Sequence, residues 1–94
     1  MIEKIEHIGI AVKNLHEANR IYEGLLDTPP YKIETVKSEG VITSFFKTGE
    51  NKVELLQATK DESTIAKFIA KKGEGIHHIA FAVRNIHKEI KRLK

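Results

Sequence analysis

The sequence predicts an α+β fold of paired βαβββ modules, the second of them incomplete, and three observations predict it. The stretch HIGIAVKNLH at residues 7–16 returns as HIAFAVRNIH at residues 78–87, identical at six of ten positions and conservatively exchanged at the other four. Self-similarity at a fixed offset, here 71 residues, marks a repeated supersecondary unit. Between the two copies the hydrophobic period runs from two to about 3.6 and back to two, the order strand, helix, strands. The chain ends soon after the second copy, so equivalents of the strands read at 41–47 and 52–57 are expected at roughly 112–118 and 123–128. We therefore divide the chain into a first module with its connecting helix at 1–71 and, at 72–94, a linker with the first strand and helix of a second module. The chain is expected to be truncated there, which leaves open sheet edges.

Each element has a local cause. In EHIGIAV, residues 6–12, Ile8, Ile10 and Val12 alternate with His7, Gly9 and Ala11, a strand with one greasy face and one face holding a histidine among very small residues. Asn14 is an N-cap with Glu17 three positions on, and Leu15, Ala18, Ile21, Tyr22 and Leu25 follow at helical spacing. Asp27-Thr28-Pro29-Pro30 stops that helix, because proline lacks an amide donor and restricts its predecessor. Strands are expected at 31–36, 41–47 and 52–57, with turn residues at Glu39-Gly40 and Gly49-Glu50-Asn51, an antiparallel meander. Ser63 caps a short helix with an Ile65, Phe68, Ile69 stripe, and Lys71 and Lys72 precede Gly73 at its end. The GEG at 73–75 reads as a linker, HHIAFAV as a strand, and Asn85 opens a helix through Ile86, Ile90 and Leu93.

Composition bounds the chemistry. Of 94 residues, 40% are hydrophobic and 31% charged, which fits one ordinary domain with a modest core. No apolar run approaches the roughly 20 residues that span a bilayer, and MIEKIEH lacks a signal-peptide core, so no membrane association is expected and a cytoplasmic location is. The absence of cysteine removes disulfides, thiolate metal sites and a cysteine nucleophile. A net charge of +3 is spread along the chain, and without tryptophan there is no platform for stacking bases, so no nucleic acid is expected. A small anionic substrate suits this balance. No glycine cluster matches a phosphate-binding or dinucleotide fingerprint, so no nucleotide cofactor site is expected, and Ser63-Thr64 has no companions for nucleophilic catalysis.

His7 and His78 hold equivalent places in the repeat. Two modules packed sheet to sheet would aim both imidazoles into one cavity, a geometry suited to a shared divalent metal. Glu54 alternates with Val53 and Leu55, and pattern alone permits two readings: a carboxylate turned toward a cation, or one on a solvent face paired with a lysine. Two histidines, Glu54 and a fourth ligand at its repeat equivalent would complete a nitrogen and oxygen site. His77 alternates with Ile79 and Phe81 and is expected on the helix side. His16 and His87 fall in the first turns of their helices, where a solvated role is expected.

The stretches HIGIAV at 7–12, VELL at 53–56, STIAKF at 63–68 and above all GEGIHHIAF at 73–81 resemble the methylmalonyl-CoA epimerase family of the vicinal oxygen chelate, or glyoxalase-like, superfamily. The resemblance spans essentially the whole chain. It implies a divalent metal, Co2+ or Mn2+ with Zn2+ or Ni2+ as alternatives, held by His7, Glu54 and His78 and by a further glutamate in the second module. It implies methylmalonyl-CoA as substrate, racemised through an enolate in propionate metabolism, and a homodimer. Some members carry a catalytic glutamate where this chain has Thr43, which cannot act as a base; Glu39 is the substitute at hand. The 94-residue chain alone is expected to be inactive. Two alternatives share the architecture: a glyoxalase I-type lactoylglutathione lyase, and a metal-free module that binds a small ligand without turnover.

Overall fold

The computed structural model describes residues 2–83 and 85–93. Eight elements follow in the order β1 (Ile2–Ala11), α1 (Leu15–Leu26), β2 (Lys32–Val36), β3 (Val41–Thr48), β4 (Asn51–Ala58), α2 (Thr64–Lys72), β5 (Gly75–Val83) and α3 (Ile86–Leu93). The helix ends obey the residues that mark them. The Asn14 side chain accepts from the Glu17 amide, and the helix closes at Asp27 in the left-handed region ahead of the two prolines. Ser63 accepts from the Ala66 amide, and the Gly73 amide donates to the Ile69 carbonyl at the far end of α2. Asn85 caps α3 by accepting from the Lys88 amide.

All five strands form one sheet in the order β2-β3-β4-β1-β5. The meander expected from the turns is present, with β2 antiparallel to β3 and β3 antiparallel to β4. β1 then lies parallel to β4 on one side and antiparallel to β5 on the other. The expectation that the two copies of the repeat stack sheet to sheet is therefore corrected: they sit edge to edge, as neighbours in a single sheet. The physical reason is that a strand's unpaired amides and carbonyls are satisfied by a ladder, which face-to-face packing does not supply. Two boundaries also move. β1 starts at Ile2 rather than Glu6, and Gly75 opens β5 instead of ending a linker.

Alternation sends the strand residues into two different environments. On one face α1 buries Val12, Leu15 and Ala18 against Phe46 and Leu55, with Ile10, Tyr22 and Val53 packed around them. On the other, α2 brings Ile65 onto Ala11, Val41 and Leu56, flanked by Phe68 and Ile69. α2 packs at the Ala11, Val41 and Leu56 end of this face, and His7, Gly9 and Glu54 lie further along the same strands, where the candidate chemistry is. The apolar stripe of α3, Ile86, Ile90 and Leu93, is exposed, as are Ile76, Ile79 and Phe81 along β5.

Candidate metal centre

Gly9 is the point from which the site is built. In the parallel register of β1 and β4 it pairs with Glu54, and in the antiparallel register of β1 and β5 it pairs with His78. Paired residues share a face of the sheet, and His7, two residues before Gly9 on the same strand, shares it too. Three chemistry-bearing side chains from three adjacent strands thus surround a residue that has none. A Cβ at position 9 would stand 2.5 Å from His78 Nε2 and 2.6 Å from its Nδ1, and closer still to Cε1, so the His78 ring lies in the space a side chain would fill.

The donor atoms converge. His7, Glu54 and His78 each offer one ligand atom, and these lie within 4.8 Å of one another. The two imidazoles meet edge on, with ring planes at 89° and Nε2 of one 3.1 Å from Nε2 of the other. Two ligands at about 2.0–2.1 Å from one ion stand about 2.9 Å apart at a right angle and about 3.4 Å apart at the tetrahedral angle, so this spacing suits a shared divalent cation. Nitrogen and oxygen donors of this kind accept cobalt, manganese, nickel and zinc alike. Glu54 reaches the pair from the side, its Oε2 being 3.5 Å from His7 Nδ1, and its side chain is only 15% exposed.

A polar chain runs outward from these donors. His7 Nδ1–H donates to Glu6 Oε1 at 2.8 Å, and the other Glu6 oxygen pairs with Lys52 Nζ at 3.1 Å. The hydrogen bond from His7, then that from Lys52, holds the Glu6 carboxyl below its ordinary pKa, and Glu6 in turn raises that of Lys52. Burial is the main reason that His78 titrates below its ordinary value, with the nearby His7 and His77 rings adding to it against Glu54. A neutral imidazole is the form that binds a metal.

The structure does not gather every residue singled out in the sequence. Thr43 is 4% exposed and lies on the Glu54 face, since its neighbour-but-one Phe45 pairs with Glu54. Glu39 sits in the exposed turn before β3. From the level of Glu54 to Val41 is already four residues of strand, roughly 13 Å, so Glu39 stays away from the donors. His77, expected from its alternation with Ile79 and Phe81 to face away from His78, instead packs edge on against Phe68 of α2 on the face that carries the donors, with its Nδ1 3.0 Å from His78 Nδ1. Glu6 and the steric demand on Gly9 are features that sequence reasoning missed; their signal was adjacency to the repeated histidines. A separate cleft of about 400 Å3 between β1 and α1, lined by Ile10, Tyr22, Ile21 and Glu74 among others, does not include the donors.

Comparison with known proteins agrees with the topology. An uncharacterised protein of Bacillus subtilis (strain 168), YqjC, is 35% identical over 92 residues, which cover 98% of this chain and 66% of that protein. The human mitochondrial methylmalonyl-CoA epimerase is 34% identical over 92 residues, covering 97% of this chain and 52% of the enzyme. The chain thus spans between about half and two thirds of these relatives. Among solved structures, the hypothetical protein BH1468 from Bacillus halodurans C-125 superposes with a TM-score of 0.85 at 44% identity, covering 96% of this chain and 65% of that one. A variant of the Streptomyces coelicolor methylmalonyl-CoA epimerase in complex with 2-nitronate-propionyl-CoA superposes at 0.83 and 28% identity, covering 99% and 71%. The family profile described as glyoxalase/bleomycin resistance protein/dioxygenase superfamily matches residues 6–94. With that profile spanning nearly every residue and the mixed α+β sheet superposing on those structures, the chain belongs to the glyoxalase/bleomycin resistance protein/dioxygenase superfamily.

Proposed function

We propose that the whole protein is a methylmalonyl-CoA epimerase, and that His7, Glu54 and His78 are ligands of its divalent metal, Co2+ or Mn2+ by preference. The observation that carries this reading is the convergence of those three donors over Gly9. The epimerases among the relatives supply the substrate class, a malonyl thioester with an alkyl branch. When bound, a divalent cation at this place supplies Lewis-acid stabilisation of the negative charge that develops on the thioester and carboxylate oxygens. The chain's own part is to hold that cation with two neutral imidazoles and a carboxylate, grouped around a glycine that leaves them room.

Epimerisation also needs a base and an acid on opposite sides of a planar intermediate. Neither role falls to Thr43, whose hydroxyl is far too weak a base at neutral pH, nor to Glu39, which is remote from the donors. The proton-transfer groups are therefore other than these two residues, and a homodimeric assembly belongs to the same reading. The 94-residue chain alone is expected to bind metal without turning substrate over.

The test follows the proton. Whole protein loaded with Co2+ or Mn2+ is incubated with methylmalonyl-CoA in D2O, and deuterium at the carbon between the two carbonyls is read by mass spectrometry. Metal-dependent exchange, abolished by His7→Ala or His78→Ala, is the expected result. Exchange that persists without metal, or turnover only of a glutathione hemithioacetal, defeats the assignment.

A further inference from the structure

An imidazole that offers one nitrogen to a metal has a second to satisfy, and here both second nitrogens are occupied. His7 Nδ1 meets Glu6 Oε1 at 2.8 Å, and His78 Nδ1 meets His77 Nδ1 at 3.0 Å. In each case the partner is the residue immediately before the histidine. On a regular strand consecutive residues face opposite sides, so neither partner should reach.

Both reach because the ladder is irregular at those two places. Pairing passes from Ile5↔Phe81 to His7↔Ala80 and leaves Glu6 without an opposite number on β5. It passes again from Gly9↔His78 to Ile10↔Ile76 and leaves His77 without one on β1. A β-bulge sets two residues against one and re-aims the extra side chain. The two bulged residues hold the same place in the repeat, one position ahead of its histidine.

We propose that Glu6 and His77 are positioning residues for the metal centre, each extruded by a bulge so that its side chain engages Nδ1 of the following histidine and leaves Nε2 as the nitrogen presented to the ion. This rests on reading His7, Glu54 and His78 as metal ligands. Glu6 is itself fixed from behind by Lys52, the residue opposite His7 on β4, and His77 is backed by the edge of Phe68.

Proton placement follows from the donor inventory. A neutral imidazole carries one N–H, and a carboxylate only accepts, so His7 keeps its proton on Nδ1 and its lone pair on Nε2. Without metal, the 3.1 Å contact between the two Nε2 atoms needs one proton, which His78 supplies. His78 Nδ1 then accepts from His77 Nδ1–H. With both Nε2 lone pairs turned to an ion, the His78 proton resides on Nδ1 and is accepted by His77, whose own proton resides on Nε2. The three rings carry the same number of protons in both states. An ordinary exposed ion pair at Glu6 would leave metal affinity untouched, whereas loss of an outer partner of a ligating histidine typically weakens metal binding 10–100-fold.

The experiment combines long-range proton–nitrogen NMR of the histidine rings with competition titration, using Zn2+ as the probe, at a pH where the rings are neutral. In the 94-residue chain we expect His7 to be the Nδ1–H tautomer with or without Zn2+, and His78 to change from Nε2–H to Nδ1–H on loading. Glu6→Ala should shift His7 toward Nε2–H and weaken Zn2+ binding 10–100-fold, and Glu6→Gln, which keeps an acceptor oxygen, should restore the tautomer and part of the affinity. His77→Ala should weaken Zn2+ binding to a similar degree with folding intact by circular dichroism. Zn2+ affinity within twofold of the parent in both alanine variants, with unchanged tautomers, overturns the positioning role alone. Failure of the parent chain to bind Zn2+ overturns the metal reading and this inference with it.

Discussion

Replacing Gly9 by alanine tests the geometry at its tightest point. The added methyl carbon would meet the His78 ring at 2.5 Å from Nε2 and 2.6 Å from Nδ1, where ordinary contact needs about 3.4 Å or more. The ring must withdraw by about an ångström, while metal–ligand distances tolerate only about ±0.2 Å. On the ligand assignment proposed above His78 is then lost to the ion, and we expect divalent-metal affinity to fall at least 100-fold, about 2.7 kcal/mol. Folding responds differently. Crowding costs about 1–3 kcal/mol, but alanine in a strand recovers roughly 0.5–1 kcal/mol of the entropy glycine loses on folding, so the melting temperature should drop by only several degrees. Chelator competition with Co2+, read beside a circular dichroism melt, separates the two effects. Metal affinity within threefold of the parent would refute the claim that an empty position 9 is what admits His78.

Gly24 is the matched control, since a Cβ there meets nothing within 4 Å in α1; Gly24→Ala should raise stability by about 1 kcal/mol and leave metal binding unchanged in the same two assays. Ser44 is fully buried, and among the described residues its hydroxyl has no hydrogen-bond partner, so Ser44→Ala should raise the urea midpoint by the equivalent of about 1 kcal/mol. Phe46 is fully buried in the α1 cluster, and Phe46→Ala should cost about 3–5 kcal/mol in a denaturant titration. Acid should weaken both metal binding and folding through His78. Its folded-state pKa lies below the ordinary 6.5, so the unfolded chain takes up the proton first, and stability falls as pH drops through 6.5 toward the lowered value; melts from pH 7.5 to 5.5 should show this slope, reduced in His78→Gln.

Most of the elements were legible because each carries its own local cause. Asn14, Ser63 and the paired prolines mark helix ends through hydrogen bonds that any chain with those residues can make. Alternation put His7 and Gly9 on one face of their strand and set Glu54 opposite Val53 and Leu55 with two readings left open, and the repeat singled out His78 as the companion of His7. What the sequence could not reveal depends on pairing between distant strands. Nothing in residues 2–11 says that β1 will take β5 as its antiparallel neighbour, and a strict period of two puts Glu6 and His77 on the wrong side of the sheet. The bulges that bring them round exist only in the ladder. Gly9 likewise read as a small residue on a strand, and its necessity appears only once the His78 ring is laid across it.

The shared central strand also couples this centre to assembly. The three donors come from β1, β4 and β5, and the two histidines are 71 residues apart in sequence. An unfolded chain holds no such arrangement, so an ion that binds here binds the assembled sheet and draws the folding equilibrium toward it, by about 2.7 kcal/mol at a free metal concentration one hundred times the dissociation constant. β1 and β5 must both be seated before that contribution exists. On the proposed ligand assignment the site would be a latch across the least local pairing in the ladder, and metal supply would help to set how much folded protein there is.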